Sequence, residues 1–252
     1  MTQAYGPGFA KLYNLRWGGF ATAYAPVVRA LYEGTPLGRE EHSLLDVCCG
    51  TGQFALHFLQ HGYQITGLDL SPHMLGHAST NARDFVEAGQ ATFVEADAAD
   101  FHLERRFGLV VSLFDALNHL PDAAALRGCF RAAYDALFDG GTFIFDLNTR
   151  AGLNRWNGIN VQDDAEATVI TRGIYDGESR ALTRITGFVR GDDGRYERVT
   201  ETVYNTVFAM HDVRALLLES GCSDVYWARG NDLATPIDDI EAEGRAWFVA
   251  RK

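Results

Sequence analysis

The chain of 252 residues is 47% hydrophobic and 22% charged, which is typical of a soluble globular protein with a sizeable core. Its formal net charge of −11 disfavours nucleic acid as a partner, because no surplus of cations is present to neutralise phosphates. The cysteines, Cys48, Cys49, Cys129 and Cys222, form neither a CxxC pair nor a Cys/His pattern. We therefore predict no metal site and no disulfide framework.

The start of the chain lacks a basic segment followed by an apolar one. The longest apolar run, around LVVSLF, is too short to span a bilayer. We therefore expect a cytoplasmic protein without a membrane partner.

The first 150 residues alternate between apolar runs rich in β-branched residues and helix-like stretches. An aromatic, partly helical segment at residues 9–32 comes first. This alternation, with continuously apolar strands, indicates a parallel sheet covered by helices on both faces. Strands are predicted at residues 44–48, 63–70, 91–97, 107–114 and 141–148, and helices at residues 52–61, 72–87 and 122–138.

The pattern changes after residue 150. Three segments between residues 167 and 208 alternate polar and apolar side chains with a period of two. Asp-Gly pairs, which favour tight hairpin turns, separate them at 176–177 and 193–194. We therefore predict an antiparallel insertion of three strands. The chain then returns to the parent sheet through a predicted helix at 210–220 and strands at 224–228 and 245–252.

The segment SLLDVCCGTGQFALHFLQ, residues 43–60, ends a strand in a glycine turn that enters a helix. Such a turn points backbone N–H groups and the positive end of the helix at a ligand. Gly50 and Gly52 begin a G-x-G-x-x-A pattern, and Asp69 ends the next strand, where a dinucleotide site keeps its ribose-binding acid. Taken alone, the turn fits NAD(H).

Charge favours a different ligand. Asp46 stands four residues before Gly50, and no Lys or Arg occurs between Arg39 and Arg83, so a pyrophosphate would gain little there. A carboxylate at this place suits a ligand with an amine and a sulfonium, because opposite charges a few ångströms apart attract each other. S-adenosylmethionine (SAM) carries both groups, and its ribose diol suits Asp69.

These segments resemble, in their order and spacing, the motifs of class I SAM-dependent methyltransferases. LLDVCCGTGQFAL resembles the first motif, ITGLDLSPHML the ribose block and VEADAADF the adenine block. FGLVVSLFDALNHL resembles the strand and loop at the methyl end of the cofactor, and HDVRALLLESGCSDVYW and RAWFVARK resemble the closing helix and strands.

Together, the pattern and the resemblance predict an α/β fold. The main sheet would be Rossmann-like, doubly wound and mostly parallel, with seven strands, and the inserted antiparallel sheet would have three. We assign residues 1–150 and 207–252 to the SAM-binding core, which includes an N-terminal helical lid. Residues 151–206 would form a subdomain that covers the substrate.

By matching position, the resemblance implies where the cofactor lies. Asp46 and Gly50 would face the methionine part, Asp69 the ribose, and Asp97 the adenine. Cys48 stands where the family prefers glycine or alanine, and we expect its small side chain to let the cofactor approach. The remaining predicted cofactor contacts are Tyr13, Gly52, Leu70, Met74, Ala98, Leu113 and Phe114.

Methyl transfer is an in-line displacement that requires alignment of the reacting atoms, and a base is needed only for a protonated acceptor. His119, in LNHL, resembles the histidine of small-molecule N-methyltransferases that share the inserted sheet. It is the candidate base, and orienting its loop is the alternative role. Tyr13 matches a tyrosine that closes over the cofactor in relatives, or it is an aromatic core residue.

The candidates for binding the acceptor are His119, Asn148, Arg172 and Arg184, although the alternation leaves open which face of the insertion points inward. The main hypothesis is SAM-dependent methylation of N or O of a small polar molecule, with S-adenosylhomocysteine (SAH) as product. A SAM-binding protein without catalysis and an NAD(P)-dependent oxidoreductase are the alternatives. The sequence leaves the oligomeric state open and is compatible with a homodimer.

Overall fold

The computed structural model describes residues 5–191 and 193–252. Two helices precede the first strand, α1 (Pro7–Arg16) and α2 (Gly18–Glu33). Proline suits the first turn of α1, where its missing N–H would have no helical partner. The residues that α2 buries follow helical spacing along one face and are Ala21, Ala25, Val28 and Tyr32.

Five parallel strands and the helices between them make up residues 43–148. The strands are β1 (Ser43–Val47), β2 (Gln64–Asp69), β3 (Ala91–Glu95), β4 (Phe107–Ser112) and β5 (Leu137–Asn148). The helices are α3 (Gln53–Leu59), α4 (Pro72–Asn81), α5 (Arg83–Glu87) and α6 (Ala123–Ala136). Short 3-10 helices lie before β1 and after β4, at Leu37–Arg39 and Ala116–His119. Every residue of β1 and β4 is buried, as expected of strands covered on both faces.

A second, antiparallel sheet follows α7 (Arg150–Leu153). Its strands lie side by side in chain order: β6 (Gly158–Asp163), β7 (Ala167–Tyr175), β8 (Arg180–Arg190) and β9 (Tyr196–Thr206). The predicted three strands correspond to β7, β8 and β9. The edge strand β6 makes the sheet four-stranded. The sequence analysis missed it because its alternation contains only two apolar residues, Ile159 and Val161, which is too short to predict a strand.

The chain returns to the large sheet through α8 (Met210–Glu219), β10 (Ser223–Arg229), β11 (Asp232–Pro236) and β12 (Arg245–Arg251). The large sheet has the order β11-β10-β12-β5-β4-β1-β2-β3, in which β10, β11 and β12 join by antiparallel pairing. The mostly parallel α/β architecture is confirmed. The sheet has eight strands and not seven, because β11 lies in an acidic segment that reads as a loop.

Hydrophobic cores lie on both faces of the large sheet, and a separate cluster joins α1 to the inserted sheet. In that cluster Phe9 and Leu12 of α1 pack with Val169, Ile185 and Val199. Burial of these side chains fixes α1 and the inserted sheet together, next to the carboxyl ends of the parallel strands. No helix among the described residues is long and apolar enough to cross a membrane.

Candidate active site

A cavity of about 350 Å³ opens where the carboxyl ends of the parallel strands meet α1 and the inserted sheet. Open α/β sheets bind their ligands at this end of the strands. The inserted sheet contributes Thr171, Thr183, Ile185, Val203 and Asn205 to the lining. The predicted cofactor contacts that line the cavity are Tyr13, Cys48, Gly50, Asp69, Leu70, Met74, Asp97, Ala98, Leu113 and Phe114.

The glycine turn after β1 contains three residues in the left-handed region: Cys48 at φ 62°, Gly50 at φ 55° and Gly52 at φ 78°. Glycine adopts this conformation without the steric penalty that a side chain incurs. A Cβ at Gly52 would also lie 3.0 Å from the Cβ of Ala78, so α4 packs directly against the turn. The positive φ of Cys48 gives a physical reason for the family's preference for glycine there.

Asp69 connects the end of β2 to this turn. Its Oδ2 accepts the backbone N–H of Gly50 at 2.9 Å, and its Oδ1 accepts that of Ser71 at 2.9 Å. Burial raises the pKa of Asp69, and these two hydrogen bonds oppose the rise. The N-cap of α4 is Ser71, whose Oγ accepts the N–H of Met74. Ser71, and not Asp69, therefore caps α4. Each carboxylate oxygen of Asp69 can accept one further hydrogen bond.

Asp46 is a buried acid without a compensating partner. It is 3% exposed, and its Oδ2 has no hydrogen-bond partner among the described residues. Burial, followed by the charge of Asp69, raises the pKa of Asp46 to about 8. Asp46 borders a recess of about 40 Å³, which shares Tyr13 and Cys48 with the main cavity. An unpaired buried carboxylate in this position fits a cationic group of a ligand.

Asp97 and Ala98 line the cavity together with Leu70 and Met74. Asp97 Oδ1 accepts the backbone N–H of Ala99 at 2.9 Å, which fixes the loop after β3. Met74 is 1% exposed. This part of the lining therefore combines a carboxylate with an apolar surface, which suits a flat base that carries an amine.

An ion-pair cluster fixes the loop after β4, where Phe114 and Asp115 both have positive φ. Asp146 accepts their backbone N–H groups at 2.7 and 3.0 Å. Arg245 donates to Asp146 and, at 2.8 Å, to Asp115, and its guanidinium lies 5.2 Å from the ring centre of Phe20. Burial raises the pKa of Asp146, and the charge of Arg245 opposes the rise. Arg245 lines the cavity with its charge already paired.

His119 ends the 3-10 helix after β4 and lines the cavity. Its Nδ1 lies 2.7 Å from the carbonyl oxygen of Tyr204. A carbonyl only accepts hydrogen bonds, so Nδ1 carries the hydrogen and, in the neutral ring, Nε2 keeps a lone pair. The ring meets that of Tyr5 edge to face, at 6.4 Å between centres. The arrangement supplies a positioned proton acceptor.

Asn148, a predicted acceptor contact, lies outside the cavity lining. It is 3% exposed, and its Nδ2 donates to Asn205 Oδ1 at 2.9 Å. Its backbone N–H donates to Asn118 Oδ1 at 2.8 Å. The structure therefore places Asn148 behind a residue that lines the cavity.

Arg172 and Arg184 are exposed and lie opposite each other on β7 and β8. Thr171 and Thr183, one position earlier in each strand, line the cavity in their place. The expectation that these arginines point inward is therefore wrong, because a shift of one residue moves every side chain to the other face of a strand.

Several lining residues were absent from the sequence-based site. Aromatic residues recur every four positions from just before α1 to its C-cap, which places them on one side of the helix: Tyr5, Phe9 and Trp17, together with the predicted Tyr13. This spacing was a usable signal for an aromatic wall, and Trp17 stacks on Tyr13 with 5.6 Å between ring centres. The other lining residues that were missed are Ala116, Leu120, Trp156, Thr171, Thr183, Ile185, Val203, Asn205 and Arg245.

The charges of the site suit a cation better than a pyrophosphate. Asp69, Asp97 and Asp115 line the cavity, and among its described lining residues Arg245 is the single Lys or Arg. The two carboxylates that Arg245 contacts neutralise its charge. This balance opposes the dinucleotide alternative. Within the described part of the chain, no group of three His, Cys, Asp or Glu side chains is placed to hold a metal ion.

Known proteins match this chain in both sequence and fold. Residues 44–141 match a family model described as a methyltransferase domain. A Geobacillus sp. (strain WCH70) protein, named as a methyltransferase without a stated substrate, is 29% identical over 214 residues, which are 83% of this chain and 84% of that protein. The dTDP-3-amino-3,6-dideoxy-alpha-D-glucopyranose N,N-dimethyltransferase of Streptomyces fradiae is 29% identical over 213 residues, which are 81% and 80% of the two chains.

The crystal structure of a sugar N-methyltransferase from Streptoalloteichus sp. ATCC 53650 has the same fold. It superposes with a TM-score of 0.77 at 24% identity and covers 100% of this chain and 95% of its own. A Synechocystis sp. protein, named as an uncharacterized methyltransferase, is 31% identical over 159 residues, which are 54% of this chain and 71% of that protein. This relative shows that the chain belongs to the methyltransferases. The matched domain and the shared fold agree with the class I SAM-dependent methyltransferases, whose motifs the sequence resembles.

Proposed function

We propose that the protein transfers the methyl group of SAM to an amine nitrogen of a small polar acceptor. One observation carries this proposal: a single cavity is lined by Asp69 and Asp97 at one end and by Thr183 and Asn205 of the inserted sheet at the other. His119 lines the same cavity. Two ligands that share one cavity can be held with their reacting atoms in line.

The charged groups on the cofactor side of the cavity match the charged and polar groups of SAM. The unpaired carboxylate of Asp46 would face the ammonium group, Asp69 would accept from the ribose hydroxyls, and Asp97 with Ala98 would lie by the adenine. Leu70 and Met74 would pack on the adenosine. When bound, SAM supplies a methyl carbon that its sulfonium activates. We assign Tyr13 as the side chain that closes the methionine end, because it borders both the cavity and the recess.

His119 is the proposed base. An amine acceptor reaches the site as an ammonium ion, since alkyl amines have a pKa of about 10 in water. Nε2 of His119 would take up that proton, and Nδ1 would remain bonded to the carbonyl of Tyr204. The nitrogen lone pair would then be free for the displacement.

Charge and similarity favour nitrogen over oxygen as the methylated atom. The acids that line the cavity outnumber its cations and would attract an ammonium ion. The Streptomyces fradiae relative is named for an amino-sugar substrate, which makes amino sugars the first acceptors to test. In this proposal residues 151–206 cover the acceptor, and residues 1–150 and 207–252 hold the cofactor. O-methylation is the second candidate, and a hydroxyl acceptor would need the same base.

Calorimetric titration with SAM, SAH and NADH tests the cofactor. We expect micromolar binding of SAM and SAH and no binding of NADH. Transfer of a labelled methyl group to paired amino and hydroxy sugars then tests the acceptor, with transfer to the amino sugars expected. Binding of NADH alone would overturn the cofactor assignment, and transfer only to hydroxy sugars would replace N-methylation by O-methylation. SAM binding without transfer to any of these sugars would contradict the proposed acceptor class.

A further inference from the structure

Asn205 is a buried polar residue in the acceptor half of the cavity, and no motif points to it. It lies on β9, is 1% exposed and lines the cavity. Its Nδ2 is 3.5 Å from Nδ1 of His119, the candidate base. Its neighbour Tyr204 provides the carbonyl that holds the same ring. One strand thus brings an amide and the histidine to the same part of the cavity.

The hydrogen-bond partners of Asn205 leave a donor free. Its Oδ1 accepts from Asn148 Nδ2 at 2.9 Å. Nδ1 of His119 must carry the hydrogen that it donates to Tyr204, at 2.7 Å, so it cannot accept one from Asn205. The 3.5 Å contact therefore joins two donors, and the amide hydrogens of Asn205 remain able to donate to a ligand. A buried donor of this kind is destabilising until an acceptor reaches it.

A chain of buried amides holds Asn205 in this orientation. Asn148 donates its backbone N–H to Asn118 Oδ1 at 2.8 Å, and Asn118 Nδ2 donates to the carbonyl oxygen of Thr206 at 2.9 Å. Asn118, Asn148 and Asn205 are each at most 3% exposed. These bonds tie β5, β9 and the His119 loop together. The free donor is therefore preorganised, which is what a specific polar contact requires.

We propose that Asn205 Nδ2 donates to a hydroxyl oxygen on the carbon next to the amine that His119 deprotonates, so that the acceptor is a vicinal amino alcohol. This inference rests on the proposed N-methylation and names its substrate class. The amide of Asn205 borders the imidazole ring, with its Nδ2 3.5 Å from Nδ1, so the donor and the base lie side by side in the cavity. Such a pair suits two polar substituents on neighbouring carbons of one ligand. Thr171 and Thr183 also line this wall, beside the apolar Ile185 and Val203, and their hydroxyls suit further hydroxyl groups of the acceptor.

The test uses trans-2-aminocyclohexanol and cyclohexylamine, which share an amine and differ by one vicinal hydroxyl. Each would be titrated into the SAH complex of the wild type and of Asn205→Ala and Asn205→Asp. Asn205→Asp keeps the oxygen that accepts from Asn148 and replaces the free donor. Asn160→Asp, the same change on the exposed strand β6, is the matched control. SAH affinity and melting temperature show whether each variant folds.

We expect the wild type and Asn160→Asp to bind the amino alcohol at least tenfold more tightly than the amine, and both Asn205 variants to lose this preference. An equal affinity of the two compounds for the wild type, a preference retained by both Asn205 variants, or no binding of either compound would overturn the inference. Methyl transfer is measured separately. If the wild type binds the amino alcohol more tightly but methylates neither compound, the proposed function alone is contradicted. If it methylates both compounds and binds them equally, the inference alone is contradicted.

Discussion

Asp146 accepts the backbone N–H of Phe114 at 2.7 Å, so a carboxylate on β5 fixes the loop that follows β4. Arg245 on β12 in turn pairs with this carboxylate, whose side chain is 0% exposed. The last strand of the chain thus fixes the wall of a cavity that is otherwise built from residues far earlier in sequence. The first prediction concerns this pairing of Arg245 with Asp146.

Replacing Arg245 by Met should lower the free energy of unfolding by about 3–5 kcal/mol, because it leaves a buried carboxylate without its countercharge. Denaturant titration measures the effect. The matched control is Arg251→Met, which removes an exposed pair with Asp224 at 3.6 Å and should change stability by at most about 1 kcal/mol. Equal effects of the two changes would contradict the assigned role of the buried pair. Adding Asp146→Asn to the first variant should recover part of the loss.

Asp46→Asn should stabilise the protein without ligand at pH 8. The pKa of Asp46 is about 8 when folded and about 4 in an unfolded chain, so the folded protein binds this proton more tightly. The contribution of the group to stability is present below pH 4 and is lost as the pH rises to about 8. The advantage of the variant over the wild type should therefore grow between pH 5 and pH 8 in denaturant titrations. An advantage independent of pH would show that Asp46 is not the titrating group.

The same substitution should weaken SAM binding, because the proposed partner of the ammonium group loses its charge. We expect at least a tenfold rise in the dissociation constant at pH 8, measured by calorimetry. Adenosine, which lacks the amino acid part, should bind the variant and the wild type equally. A parallel loss of adenosine affinity would place the effect elsewhere in the site.

Asp69→Ala should weaken SAM binding by more than tenfold and leave the fold intact. Both the hydrogen bonds to the ribose and the bond that holds Gly50 would be lost. Asp84→Ala, in the short helix α5, is a control that should bind SAM like the wild type. An unchanged affinity of the Asp69 variant would remove this residue from the cofactor site.

His119→Ala should lower kcat by about 10²–10⁴-fold for an amine acceptor, since a general base contributes rate enhancements of this size. The dissociation constant of SAM should stay within about twofold of the wild-type value. His102→Ala, at an exposed position, should retain full activity. A normal kcat in the His119 variant would favour the alternative role of orienting the loop.

The register of the inserted sheet determines which of its side chains can contact the acceptor. Thr183→Val should raise the KM for the acceptor, because it removes a hydroxyl from the cavity wall while keeping its shape. Arg184→Ala, one residue further along β8 and exposed, should leave KM unchanged. The opposite result would mean that the other face of this sheet binds the acceptor.

The arrangement of the proposed cofactor half of the site could be predicted because its parts are local in sequence. The strand end at Asp46, the turn at Gly50 and the strand end at Asp69 each carry a recognisable motif, and a parallel sheet brings such ends together. The structure places these three residues around one cavity and its recess. Order along the chain was therefore enough to predict that these three residues lie close together.

The acceptor half could not be derived in this way. Arg245 is 99 positions from the carboxylate it binds, and no local pattern links the two. The face of the inserted sheet that carries Thr183 depends on which side packs against α1, which alternation alone does not specify. Strand β6 alternates apolar and polar residues only over Ile159 to Gln162, and neither apolar side chain is buried. Each of these features is set by tertiary packing.

Three of the four non-glycine residues with positive φ in the described chain, Cys48, Phe114 and Asp115, line the cavity. Each conformation is unfavourable for an L-amino acid by about 1–2 kcal/mol. In a selection for thermostability alone, substitutions to glycine or asparagine at these three positions should therefore appear earlier than substitutions in the hydrophobic core. The variants so obtained should have a higher melting temperature and a lower activity. Relief of the backbone strain would change the cavity walls that, in the proposed function, align the two ligands.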